Sequence, residues 1–157
     1  MPLKLEDVMV EDVITVEETT TVKKAVELMN KHEIGCLIVM KRRKPAGIVT
    51  ERDMLNRILL KSKNPEKIKV NEIMSKPLIV GKPQMDIEDA AKLMFKRNIK
   101  KLPVTDNDHL VGLVTLTDLV RSEQVIKMLK ELPVKETPKR MKKVVDYFNR
   151  IISISYE

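Results

Sequence analysis

The sequence predicts an α/β fold of the α+β kind: two β-α-β-β-α units packed face to face about an approximate two-fold axis, followed by a C-terminal helical tail. Three observations carry this expectation. Residues 5–55 align with residues 70–120 at a constant offset of 65, without a gap and with 13 identities, among them Met9/Met74, Ala25/Ala90, Met29/Met94 and Val39/Val104. Such self-similarity marks a duplicated structural unit. Within each copy, short β-branched runs alternate with a segment of helical apolar spacing. A unit of this size cannot bury both its sheet and its helices alone, so two copies must share cover.

Each copy reads in the same order. A short strand comes first, at residues 13–16 and 78–80. Thr21 and Asp86 are placed to cap the helices that follow, with apolar faces Val22, Ala25, Val26 and Met29, and Ile87, Ala90, Ala91 and Met94. A second strand spans 36–40 and 102–105. A charged or polar turn, 41–45 or 106–109, leads into the third strand, 46–49 or 111–114. A final helix then runs to about residue 60 in the first copy and about residue 130 in the second. The expected division is unit 1 at 3–62, a polar linker at 63–69, unit 2 at 70–130 and a tail at 131–157. In the tail, Pro133 and Pro138 break the preceding helix. Met141, Val144, Val145, Phe148, Ile151 and Ile152 recur at helical spacing, as a stripe that packs back on the protein or on a second subunit. Lys135, Lys139, Arg140, Lys142 and Lys143 make a basic cluster beside it.

Composition narrows the function classes. With 43% hydrophobic and 34% charged residues the chain is globular. It has no apolar run of bilayer length, and its start lacks the apolar core of a signal peptide, so a cytoplasmic location is expected. The single cysteine, Cys36, sits in an apolar run and reads as a small buried side chain; His32 and His109 are too far apart in sequence to form a metal-ligand cluster. No nucleophile, base and metal group together, so no enzyme is expected. The net charge of +7 suits an anionic partner without choosing one.

The chemistry concentrates in a seven-residue stretch found twice, Gly47-Ile48-Val49-Thr50-Glu51-Arg52-Asp53 and Gly112-Leu113-Val114-Thr115-Leu116-Thr117-Asp118. Apolar residues after a glycine suggest a buried strand, and Thr-x-x-Asp suggests the first turn of a helix. A helix start offers free N–H groups and a positive dipole end, which favour a phosphate. The Thr hydroxyl can add a donor, and the Asp carboxylate can accept from the hydroxyls of a ribose. The combination suits a nucleotide. Thr and Asp near a helix start are equally the residues of an ordinary capping box.

Together with the Leu102-Pro103-Val104-Thr105-Asp106 segment, the element order and the paired Gly-h-x-Thr-x-x-Asp motifs resemble a tandem pair of CBS domains, the Bateman module, over residues 3–130. The resemblance implies a noncatalytic regulatory module binding AMP, ADP, ATP or S-adenosylmethionine between the two units, with no resident cofactor. By the same resemblance, Asp53 and Asp118 take the ribose, Thr50 and Thr115 the phosphate, and Ile14, Thr15, Leu37, Ile38, Ile79, Val80, Pro103 and Val104 the adenine. Gly47 and Gly112 belong to the motif. Arg52 adds a cation where the second copy has Thr117, so the first site is expected to prefer the more anionic nucleotide. Family members form homodimers, here through residues 53–60 and 118–130, and signal to a separate effector protein. The alternative is a nucleic-acid-binding protein using its basic surface; a membrane is not an expected partner.

Overall fold

The computed structural model describes residues 2–131. The tail stripe and basic cluster lie outside these residues. In chain order the elements are α1 (Leu5–Val8), β1 (Thr15–Glu17), α2 (Val22–His32), β2 (Cys36–Lys41), β3 (Lys44–Thr50), α3 (Glu51–Asp53) running into a π-helical stretch (Met54–Leu59), a 3₁₀ turn (Val70–Glu72), α4 (Ile87–Arg97), β4 (Lys101–Asp106), β5 (His109–Thr115), α5 (Leu116–Val120) and α6 (Glu123–Glu131). The chain divides into two compact units. The first holds residues 11–80 and 105–111; the second holds, of the described residues, 2–10, 81–104 and 112–131.

These compact units are not the periodic segments 3–62 and 70–130. Each takes its leading segment from the opposite repeat. Met74 packs on Gly47 and the backbones of Ile48 and Ser75 exchange hydrogen bonds of 3.2 and 2.9 Å; Met9 packs on Gly112, and Val10 and Leu113 exchange two bonds of 2.9 Å. The glycines make this possible. A Cβ at Gly47 would fall 2.6 Å from the Met74 sulfur and 2.9 Å from the Ser75 carbonyl oxygen, and one at Gly112 would overlap the Met9 sulfur.

In the first unit β1 pairs in parallel with β2, Thr15 opposite Ile38, and β2 pairs antiparallel with β3, Cys36 opposite Thr50. Helix α2 covers this sheet. Its start is capped by Thr21 Oγ1, which accepts the Lys24 N–H at 3.3 Å, and its last turn carries Lys31, a cation that suits the dipole. Val22, Ala25 and Met29 join Leu37, Val39, Val49, Ile58, Val70 and Ile73 in the core. Val26, expected on the same face, is 42% exposed, whereas its counterpart Ala91 is fully buried. The second unit explains the difference: there α5 and α6 pack on α4 and cover that flank. The expected linker 63–69 lies along the start of α2, with Val22 N–H on Ile68 O and Lys23 N–H on Pro65 O. An exposed Lys23–Glu66 ion pair of 2.8 Å raises the lysine pKa and lowers that of the carboxyl.

The β2–β3 turn is shorter than the sequence suggested. Only Arg42 and Arg43 form it, both at positive φ (50° and 65°), while Lys44 and Pro45 already belong to β3. The second hairpin repeats the geometry with Asn107 and Asp108 (48° and 64°). Two central residues at positive φ define the mirror-image turn whose twist matches the flanking strands.

The second repeat departs from expectation in three places. The first strand expected at 78–80 forms no ladder, and a single bridge joins Gly81 to Val104, with the Gly81 N–H on Pro103 O at 2.9 Å. In the first unit that ladder is flanked by Ile38 N–H on Ile14 O and Glu18 N–H on Met40 O. The equivalents of the two donors are Pro103 and Pro83, which have no N–H to give. Asp86 does not cap α4 with its side chain; the carboxylate turns instead to the Lys4 ammonium. The last helix is broken. The Ser122 N–H closes α5 on Leu119 O, and the Ser122 carbonyl opens α6 by accepting from Ile126. The equivalent helix of the first unit stays continuous but π-wound, ending at Leu59.

Candidate functional site

In the first unit, the starts of β1 and β2 and the end of β3 lie at one end of the sheet, and α3 begins there. This register gathers Ile14, Thr15, Leu37, Ile38, Thr50 and Asp53 around a single corner. Leu37 and Ile38 are fully buried, Ile14 is half-buried and Thr15 exposed. In the second unit Pro103, Val104, Gly112, Thr115, Thr117 and Asp118 fall together, whereas Ile79 and Val80 belong to the first unit.

Both motif corners close as capping boxes. The Thr50 N–H donates to Asp53 Oδ2 at 2.9 Å and the Asp53 N–H to Thr50 Oγ1 at 3.3 Å; the Thr115 and Asp118 bonds are 3.1 and 3.2 Å. The N–H of the first helical residue is also taken, Glu51 donating to Gly35 O at 3.0 Å and Leu116 to Lys100 O at 2.8 Å. Of the donors expected at each helix start, only the N–H of Arg52 and of Thr117 has no protein acceptor among the described residues. The anion-binding capacity of each corner is thus smaller than a bare helix start would offer.

What the caps leave over is specific. Each box uses one carboxylate oxygen, Oδ2, so Oδ1 of Asp118 faces no protein donor among the described residues. Asp53 differs. It is buried, 9% exposed, its Oδ2 also accepts the Thr50 hydroxyl at 3.2 Å, and its Oδ1 lies 3.6 Å from Arg57 Nε. That guanidinium also holds the Ile73 carbonyl and reaches Ser75 Oγ at 3.4 Å, so Arg57 ties the corner to the leading segment that packs on it. Sequence reading passed over Arg57, although an Arg four residues after an Asp on a helix is a recognisable pairing signal. Arg52 is exposed and forms no ion pair among the described residues, so the Arg52–Glu51 pairing open to it is not made. Thr117 is exposed, and Gly47 and Gly112 serve as seats for the two methionines.

Chemically, each corner offers a carboxylate acceptor, a hydroxyl already committed to the backbone, one backbone N–H and neighbouring apolar surface. The first corner adds two guanidinium groups. Among the described residues no group of His, Cys, Asp and Glu could hold a metal ion, and no helix is long and apolar enough to cross a membrane.

Comparison with known proteins places these corners in a family. The CBS domain family model matches residues 5–60 and 70–125. An uncharacterized protein of Methanopyrus kandleri is 36% identical over 114 residues, 71% of this chain and 58% of that protein. The inosine-5'-monophosphate dehydrogenase of Methanocaldococcus jannaschii is 32% identical over 120 residues, but those are 75% of this chain and only 23% of the enzyme. The chain therefore spans little more than half of the first relative and under a quarter of the second. Among solved structures, a hexameric CBS-CP12 protein from bloom-forming cyanobacteria superposes with a TM-score of 0.74 at 30% identity, over 85% of this chain and 78% of that one. Two family matches in the register of the internal repeat, on a mixed α+β fold, show that the chain belongs to the CBS domain family as a tandem pair.

Proposed function

We propose that this chain is a noncatalytic regulatory module of the cytoplasm that binds an adenosine-containing ligand, AMP, ADP, ATP or S-adenosylmethionine, and passes the binding signal to a separate effector protein. The observation that carries the reading is the spare carboxylate oxygen of Asp118 at the second capped corner. Thr115 and Asp118 close the cap through Oδ2 and leave Oδ1 free to accept, as a ribose requires, while at the first corner Asp53 Oδ1 is shared with Arg57. In this reading Ile14, Thr15, Leu37 and Ile38 flank the adenine at the first site, and Pro103 and Val104 at the second. Arg52 and the adjacent backbone N–H take a phosphate, which favours the more anionic ligands at the first site.

The likeness to the dehydrogenase supports regulation rather than catalysis, because it is confined to under a quarter of that enzyme. Ligand acts by preferring one arrangement of the module over another, and its effect cannot exceed that preference. We further propose a homodimer built on Leu55, Leu59 and Leu60, which are 54%, 68% and 76% exposed along the π-helical stretch. Their counterparts on α5 and α6 do not offer the same face: Val120 and Val125 are buried, and the third is Gln124.

Calorimetric titration of the purified protein with AMP, ADP, ATP, S-adenosylmethionine and GTP tests the proposal. Saturable binding selective for adenine is the expected result. Absence of heat and of thermal stabilisation with all five would end it.

A further inference from the structure

We infer that the tip of the β2–β3 hairpin is a second binding surface, which takes the phosphate backbone of a nucleic-acid duplex. This inference is independent of the nucleotide reading. Lys41, Arg42, Arg43 and Lys44 are consecutive and exposed, and their side chains form no ion pair or hydrogen bond among the described residues. Carboxylates of the adjacent strand end, Glu17 opposite Met40 and Glu18 beside it, do not pair with them.

The backbone supplies the second observation. Arg42 and Arg43 both sit at positive φ in a turn whose chemistry favours Asn and Gly. The equivalent hairpin adopts the same angles with Asn107 and Asp108, residue types that tolerate them. Two arginines thus occupy the positions where side chains of their kind fit the backbone least well, which points to their charge and fork geometry as the property retained. The guanidinium fork matches phosphate oxygens.

Magnitudes choose the partner. A second copy of the chain could present its acidic hairpin, Asp106 and Asp108, but exposed ion pairs contribute roughly a factor of two to five each. Two of them fall far short of recovering the freedom lost on association, and both copies carry +7. A phosphate backbone offers many charges and releases condensed counterions. Single strands fit less well, because the one Phe, Tyr or Trp among residues 2–131 is Phe95, which is buried and cannot stack on a base.

The test titrates the full chain with a double-stranded DNA of arbitrary sequence and with the matching RNA duplex at several salt concentrations. Four phosphate contacts predict about a 150-fold loss of affinity from about 50 to 200 mM salt. The Arg42→Asn/Arg43→Gly variant, whose turn residues suit the backbone and preserve the fold, should reduce that loss to about 12-fold and bind at least tenfold more weakly at about 200 mM. The inference is overturned by no saturable binding at about 50 mM salt, by an unchanged salt dependence in the variant, or by concentration-dependent self-association that the variant abolishes.

Discussion

Replacing Asp118 by alanine separates the two jobs open to the motif aspartate. In the folded chain the carboxylate accepts the Thr115 N–H at 3.1 Å and stands in the first turn of α5. Losing the cap bond together with its favourable placement at the helix start costs about 1–2 kcal/mol. For a domain of this size that lowers Tm by about 2–8 °C. A ribose bonded to the ionised carboxylate adds a separate loss of about 1.5–3 kcal/mol, a weakening of roughly 13- to 150-fold in ligand affinity. Thermal melts with and without AMP or ATP, combined with calorimetry, read both quantities on one protein. The Asp118→Asn variant keeps an oxygen for the Thr115 N–H but not the charge. It should restore most of the melting temperature and little of the affinity. If Asp118→Ala lowers Tm while affinity at every site stays within about twofold, the aspartate is a cap alone and the ribose assignment is wrong.

The other predictions follow from neighbouring residues. Arg52→Thr, at an exposed position, should weaken ATP or ADP by roughly three- to tenfold and adenosine hardly at all; equal losses in parallel titrations would contradict a phosphate role. Gly47→Ala should destabilise by about 1–3 kcal/mol and more than Gly112→Ala, because its new Cβ meets a backbone carbonyl as well as Met74, whereas the three atoms nearest to one at Gly112 all belong to the Met9 side chain; denaturant melts rank the two. Leu59→Asp, at a site 68% exposed, should leave the fold intact and convert the proposed dimer to monomer in light scattering. An unchanged mass would remove this face from the assembly.

The residues that gave the fold away were those whose two copies do the same physical work. Ala25 and Ala90, Met29 and Met94, and Val39 and Val104 are paired identities that are also core residues, so periodicity alone located α2, α4 and the central strands. The paired Met9 and Met74 were visible as identities, yet nothing local tells which glycine each will cover; that depends on a contact far apart in sequence. Likewise Pro83 and Pro103 were readable as residues without an N–H, but their effect appears only once they stand where Glu18 and Ile38 donate in the other copy. The strand-to-helix corner was legible in the motif residues; the capping box, there the alternative to a ligand site, is what the structure forms. How much of each helix start the protein's own carbonyls would occupy was not legible, since Gly35 and Lys100 reach it through tertiary placement.

The crossed placement of the leading segments bears on how the molecule is made. Residues 2–10 leave a ribosome well before the other parts of their unit, 81–104 and 112–131, are synthesised. Leu5, wholly enclosed in the finished protein beside Gly81, has no permanent neighbour until the downstream repeat emerges. Domains otherwise tend to mature from the N-terminus as translation proceeds. Here residues 2–10 must wait for the downstream repeat, and cutting between the repeats would yield two fragments, each missing the peptide that seals it.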